Sequence, residues 1–153
     1  MTKQWLTPGE MQAWRNFIDT VGPLMDALTQ DLAPHGLTLG DYEVLVFLSE
    51  ADEHRMRMID LACALRLSPS GLTRRLDGLV RHGLVERQAS TGDRRVMHAC
   101  LTSNGMKLLV EAAPDHVASV RRHLLDNLAP SQVDQLAEIF GAVSRQLTST
   151  QPG

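Results

Sequence analysis

The sequence predicts a mainly α-helical chain carrying one small β-hairpin, and three observations carry that expectation. Apolar residues recur at helical spacing through most of the 153 residues. Only the stretch 84–101 alternates at the period of strands, around a run of turn-forming residues. A helix studded with arginine directly precedes that hairpin. The expected organisation is a single domain, 1–153, in which residues 38–102 form one lobe and residues 7–33 and 103–147 form a helical region beside it.

Thr7-Pro8-Gly9-Glu10 has the form of a capping box and opens the first helix. Its stripe is Trp14, Phe17, Ile18, Val21, Leu24, Met25, Leu28 and Leu32. Pro23 removes one backbone donor from this run, so a kink is expected there. Residues 33–36 end the helix, and Thr38-Leu39-Gly40-Asp41 starts a second one that passes through Tyr42, Leu45 and Leu48 to residue 49.

Met58, Leu61, Ala62 and Leu65 form the next stripe, separated only by Arg66 and Leu67 from a further helix over 69–82. Ser68 is its N-cap, Pro69 occupies the first helical position and Gly83 supplies the left-handed stop. Leu72, Leu76, Leu79 and Val80 face inward. The opposite side carries Ser70, Arg74, Asp77, Gly78 and Arg81, with Thr73 and Arg75 on its flanks. Arginine reaches guanine edges or phosphates, and serine and threonine serve bases and backbone alike. Gly71 and Gly78 cost helix stability, about 1 kcal/mol each relative to alanine, and suit a surface approached closely by something bulky. Taken alone, this face is equally well a solvated charged surface.

The hairpin decides between the two. Strands are expected over 84–87 and 96–101, the second placing Met97, Ala99 and Leu101 on one face, with turn residues from Ala89 to Asp93 between them. Arg94 and Arg95 stand where the chain turns back. Asp93 either holds a guanidinium or caps the turn. Two helices joined by a tight turn, the second exposing arginine, make a helix-turn-helix, and the hairpin adds a wing. The expected DNA contacts are Ser68, Ser70, Gly71, Thr73, Arg74, Arg75, Arg81, Arg87, Asp93, Arg94 and Arg95. Either tip arginine can enter a minor groove; Arg95 is favoured, with Arg94 on phosphate, and the sequence leaves this open.

Thr102 caps a long helix expected to reach residue 128, interrupted by Pro114. The last helix, 130–147, repeats Val133, Leu136, Phe140, Val143 and Leu147 at spacings of 3, 4, 3 and 4, a coiled-coil-like seam. Ala129 is a poor cap for it, and a frayed tail is expected over 148–153. This is more apolar helix than the central lobe needs for its own core, so the first helix and the last two are expected to pack against a second copy of the chain.

Leu61-Ala62 with Leu65, Ser68 with Ser70-Gly71-Leu72-Thr73-Arg74, Gly83-Leu84-Val85-Glu86-Arg87, Asp93-Arg94-Arg95, and Leu101-Thr102 with Gly105 together resemble the MarR family of bacterial transcription regulators. The resemblance spans nearly the whole chain. It implies an obligate homodimer that binds a pseudo-palindromic operator, usually as a repressor released by a small molecule or by oxidation. It also implies an effector cleft between the helical region and the DNA-binding lobe. Near that junction the chain offers Trp14, Phe17, His35 and Tyr42, which suit a small aromatic ligand, although Trp14 and Phe17 equally suit a core.

The net charge of −3 conceals a split. Residues 55–95 hold nine arginines against four acidic residues, a balance of +5, which leaves −8 for the remainder. A basic centre between acidic ends directs DNA to one surface. All nine basic residues there are arginine, which favours bidentate contact with phosphate and guanine. No charge-free run of 18 residues occurs and residues 1–5 lead into a polar helix, so no membrane partner and a cytoplasmic location are expected. Two cysteines, Cys63 and Cys100, are too few for a disulfide framework, and the scattered six histidines lack zinc-site spacing, so no metal or cofactor is expected. A redox- or metal-responsive regulator and a winged helix used for protein interaction stand as alternatives. No catalytic set occurs, and an enzyme is not expected.

Overall fold

The computed structural model describes residues 5–149. In chain order its elements are helix α1 (Pro8–Leu32), helix α2 (Leu39–Glu50), strand β1 (Arg55–Arg57), helix α3 (Met58–Ala64), helix α4 (Pro69–Arg81), strands β2 (Val85–Ala89) and β3 (Met97–Leu101), helix α5 (Ser103–His123) and helix α6 (Pro130–Ser149). Single 3₁₀ turns follow α1, α2 and α5.

The caps explain most boundaries. Thr7 and Thr38 each accept from the amide three residues on, while Glu10 and Asp41 reach back to the cap amides. Ser68 Oγ accepts from Gly71 N at 3.1 Å, and Thr102 Oγ1 from Gly105 N at 3.0 Å. Ala129 has no side-chain acceptor, yet Gln132 Oε1 accepts from its amide at 2.8 Å and supplies the other half of a capping box.

Helices α3 and α4 end alike. Leu67 N donates to Ala62 O and Arg66 N to Cys63 O; Leu84 N donates to Leu79 O and Gly83 N to Val80 O. Both are Schellman motifs, which place one residue in the left-handed region. Gly83 fills that position at φ 70° after α4, and Arg66 fills it at φ 54° after α3. A non-glycine residue there costs on the order of 1 kcal/mol.

The core sits where α2, α3, α4 and the sheet converge. Leu32, Leu37, Val44, Leu45, Leu48, Leu61, Leu72, Leu76, Val85 and Ala99 are buried in it, and Leu109 and Ala112 of α5 close it. The sheet is antiparallel in the order β1-β3-β2, with Val85 opposite Leu101 and Ala89 opposite Met97. Strand β1, which pairs Arg55 with Cys100 and Arg57 with His98, was not expected from the sequence.

Three expectations need correction. Helix α5 stops at His123 rather than reaching residue 128: Leu124 leaves helical geometry, and Asn127 Nδ2 donates to the Arg122 carbonyl at 3.1 Å, capping the end. Helix α5 is one helix through Pro114 rather than interrupted there, and α1 is one helix through Pro23. The expected frayed tail is helical through Ser149, and residues 150–153 lie outside the described residues.

Helix α1 changes character along its length. Leu28 is buried and Leu32 joins the core of the lobe, whereas Trp14, Phe17 and Ile18 stay exposed in the single chain. Helix α6 likewise exposes Ile139, Phe140, Val143 and Leu147. The two faces meet at Phe17 and Phe140, whose ring centroids are 5.8 Å apart. Asp31 ties the inner part of α1 to α5, accepting from Ser119 Oγ at 2.6 Å and Arg122 Nη2 at 2.6 Å, with His123 Nε2 at 2.8 Å. Among the described residues no helix is long and apolar enough to cross a membrane.

Candidate nucleic-acid interface

Helix α4 is amphipathic in the way its spacing predicts: Leu72, Leu76 and Leu79 are buried, and Ser70, Thr73, Arg74, Asp77 and Arg81 face outward. Two of the polar groups are partly engaged within the helix. Ser68 Oγ caps it and lies 3.2 Å from Ser70 Oγ, and Thr73 Oγ1 donates to the Pro69 carbonyl at 3.0 Å. A methyl group at Gly78 would meet nothing within 4 Å, so that part of the face is open. At Gly71 it would press on Ser68 Oγ at 3.1 Å, which gives this glycine a reason inside the protein.

The arginines divide into two sets. Arg55 pairs with Glu53, Arg57 with Asp60 at 2.6 Å, and Arg87 with Asp77 at 2.7 Å. Among the described residues, Arg66, Arg74, Arg75, Arg81, Arg94 and Arg95 have no carboxylate partner. Arg75 is nevertheless half-buried: its guanidinium lies over Gly40, where a methyl group would overlap it. That leaves Arg74 and Arg81 as the open cations of α4.

Arg87 also donates to the Thr73 carbonyl at 3.1 Å, so it is a strut from β2 to the middle of α4. That role was not visible in the sequence, where Asp77 was one more residue of the outer face.

The wing tip is a defined turn. Val96 N donates to Asp93 O at 3.0 Å and Ser90 N to Val96 O at 2.8 Å, which puts Arg94 and Arg95 at the two central positions, both exposed. Asp93 Oδ1 accepts from Arg95 N at 2.9 Å. Of its two expected roles, Asp93 therefore takes the capping one.

The expected effector residues fall into two groups. Trp14 stacks near Phe17, at 6.1 Å between centroids, on the exposed stripe that meets Phe140. His35 and Tyr42 instead face α5: His35 Nε2 lies 2.7 Å from Asp115 Oδ2, and the Tyr42 ring lies 4.4 Å from that of His116. His116 Nδ1 is buried with no hydrogen-bond partner among the described residues. Burial lowers the His116 pKa and raises that of Tyr42. A separate surface cleft runs along β1 between Asp52, Arg57, Asp60 and His98, and none of the four expected effector residues lines it.

Among the described residues no group of three or more histidine, cysteine or acidic side chains is placed to hold a metal ion. Both cysteines are free thiols, and burial pushes the Cys100 thiol up, away from the reactive thiolate.

Residues 37–97, from the start of the lobe to β3, match the MarR family. The crystal structure of AbsC, a MarR family transcriptional regulator from Streptomyces coelicolor, is 40% identical, with a TM-score of 0.90 over 97% of this chain and 100% of that one. Sco3205, a MarR family transcriptional regulator from the same organism solved in complex with DNA, is 35% identical, with a TM-score of 0.89 over 97% of this chain and 96% of that one. Among curated relatives, the transcriptional repressor MprA of Escherichia coli is 30% identical over 116 residues, 76% of this chain and 65% of that protein. With its helix-turn-helix, its wing and these likenesses over nearly its full length, the chain belongs to the MarR family of transcriptional regulators.

Proposed function

We propose that this regulator is a repressor that binds an inverted-repeat operator as a homodimer, placing α4 in the major groove and the β2–β3 wing on the adjacent minor groove. The observation that carries the reading is the sorting of the arginines. Those on the open face of α4 and at the wing tip have no carboxylate partner among the described residues, while Arg55, Arg57 and Arg87 are neutralised. Unpaired guanidinium groups on a convex helix and a projecting turn fit the phosphates and base edges of a duplex. The DNA complex of Sco3205 and the repressor role in the name of MprA support it.

The exposed apolar faces of α1 and α6 support the dimer, since Trp14, Phe17, Ile18, Phe140, Val143 and Leu147 are large apolar side chains left exposed on neighbouring helices, and a grouped apolar patch of this kind marks an interaction surface. Two-fold symmetry would then set the recognition helices one DNA turn apart, roughly 34 Å.

Release by a small-molecule effector belongs to the same reading. Its support is His116 Nδ1, beside Tyr42 at the junction of lobe and α5 and without a hydrogen-bond partner among the described residues, where a polar aromatic ligand would find a buried acceptor or donor. Trp14 and Phe17 are assigned to the dimer face instead.

Fluorescence anisotropy at several salt concentrations tests the central claim, comparing the genomic fragment upstream of the coding region with a random duplex. A steep loss of affinity with salt and a preference for the upstream fragment are expected. Equal affinity for both duplexes would refute operator recognition.

A further inference from the structure

We infer that Arg66, in the turn between α3 and α4, is a DNA-phosphate contact, a role that rests on the DNA-binding reading above. Helices α3 and α4 end in the same pair of backbone hydrogen bonds, and both motifs require a left-handed residue at the same position. After α4 that residue is Gly83, which adopts φ 70° without steric cost. After α3 it is Arg66 at φ 54°. The fold needs only the backbone here, and glycine would supply it.

Among the described residues two other non-glycine residues have positive φ, Glu53 and His54, and both have local reasons. Glu53 pairs with Arg55, and His54 Nδ1 lies 2.9 Å from the Ser49 carbonyl. Arg66 differs from them. Its side chain is exposed, and among the described residues it has no hydrogen-bond or carboxylate partner. A strained backbone that holds an arginine with nothing to bind inside the protein points to a ligand outside it.

The position names that ligand. Arg66 lies two residues before Ser68, the cap of the helix that carries Arg74 and Arg81. In a helix-turn-helix the first helix crosses the sugar-phosphate backbone while the second enters the groove, and Arg66 stands just past the end of the first. A guanidinium at this point meets phosphate oxygens and gains affinity with no sequence preference.

Two variants test it, Arg66→Gly and Arg66→Lys, each measured for thermal stability and for binding to a mixed-sequence duplex between low and moderate salt. Glycine relieves the backbone, so R66G is expected to melt at the wild-type temperature or above. It should nevertheless bind about three- to tenfold more weakly, with the slope of log affinity against log salt reduced by about one per protomer. R66K keeps the charge and should hold most of the affinity and the slope. Unchanged affinity and slope in R66G would overturn the assignment while leaving the DNA reading intact, because wild-type binding would still fall with salt. A wild type that shows no salt-dependent binding would remove the DNA reading, and this inference with it. Weaker binding together with a lower melting temperature in both variants would make Arg66 a folding residue and also overturn the assignment.

Discussion

Arg87 donates to Asp77 Oδ1 at 2.7 Å, which fastens the wing strand β2 to the outer face of α4. A second bond, from Arg87 Nη2 to the Thr73 carbonyl, fixes the angle of that strut. The pair is partly exposed, so it stabilises the fold by only about 0.5–1 kcal/mol. Because it joins β2 to the middle of α4, its loss is expected to act chiefly on the angle between helix and wing.

Arg87→Ala should therefore lower the melting temperature by only a few degrees, on the order expected for so small a loss, and weaken operator binding with little change in salt slope. A slope reduced by about one would instead make Arg87 a phosphate ligand. Anisotropy titrations of the single variant separate the two.

Arg94 and Arg95 occupy the centre of the wing turn, and the turn is held by backbone bonds and by Asp93 rather than by either side chain. Replacing both with alanine should leave the melting temperature unchanged. Binding should weaken most on operators with A·T-rich flanks, where a narrow minor groove concentrates negative potential. Equal weakening on G·C-rich flanks would place both arginines on phosphates alone.

Gly105 lies in the first turn of α5, and a methyl group there would overlap the Leu84 carbonyl and crowd Leu101 Cδ1. The backbone carbonyl cannot move aside as a flexible side chain can. Gly105→Ala is expected to cost about 2–4 kcal/mol, as overpacking and a displaced backbone do. A denaturant midpoint equal to wild type would show that α5 and the wing base tolerate separation.

Hydrogen bonds from Ser119, and then from Arg122 and His123, hold the Asp31 carboxyl well below the usual carboxylate range. A depressed folded pKa contributes stability that is present above the unfolded pKa, about 4, and is lost as pH falls below it. Melting curves of wild type and Asp31→Asn should therefore differ at neutral pH, begin to converge as pH drops below about 4 and go on converging as pH falls further toward the depressed folded pKa. A constant gap across that range would mean that this cluster does not couple α1 to α5 through charge.

Removing α6 by ending the chain at Leu128 takes away Ile139, Phe140, Val143 and Leu147 together. The truncated protein should sediment as a monomer and lose its preference for the upstream fragment. Retained dimerisation would assign the interface to α1 and α5.

Elements were legible in the sequence where a side chain punctuates them. Thr7, Thr38, Ser68 and Thr102 mark helix starts, and Gly83 marks the end of α4, because caps and left-handed stops act within three residues of themselves. Strand β1 was not legible: the alternation of Arg55-Met56-Arg57 is only three residues long, and the segment becomes a strand only because β3 offers an edge. The end of α5 was missed for a similar reason, since Leu124 and Leu125 continue an apolar helical pattern and the stop comes from Asn127 reaching back five residues.

The candidate interface was legible as residue types but not as pairings. Nothing local distinguishes Arg87, which is tied to Asp77, from Arg74, which is open, or reveals that Arg75 rests on Gly40. Such distinctions depend on which segments the fold brings side by side. The effector residues divided for the same reason: helical spacing placed Trp14 and Phe17 on one stripe but could not say what that stripe would face.

The joint at the foot of α5 has a mechanical consequence. Thr102 Oγ1 donates to the Gly83 carbonyl at 2.6 Å and Thr102 N to Leu84 O at 3.1 Å, so the first turn of α5 is bolted to the end of α4 with no slack between them. Across its 21 residues α5 is a lever about 30 Å long, and tilting it by about 5° swings the far end by roughly 2.5 Å. In a dimer pinned at the far ends of these levers, the swing appears at the recognition helices. The distance between two half-sites then becomes a gauge of the angle at which α5 stands.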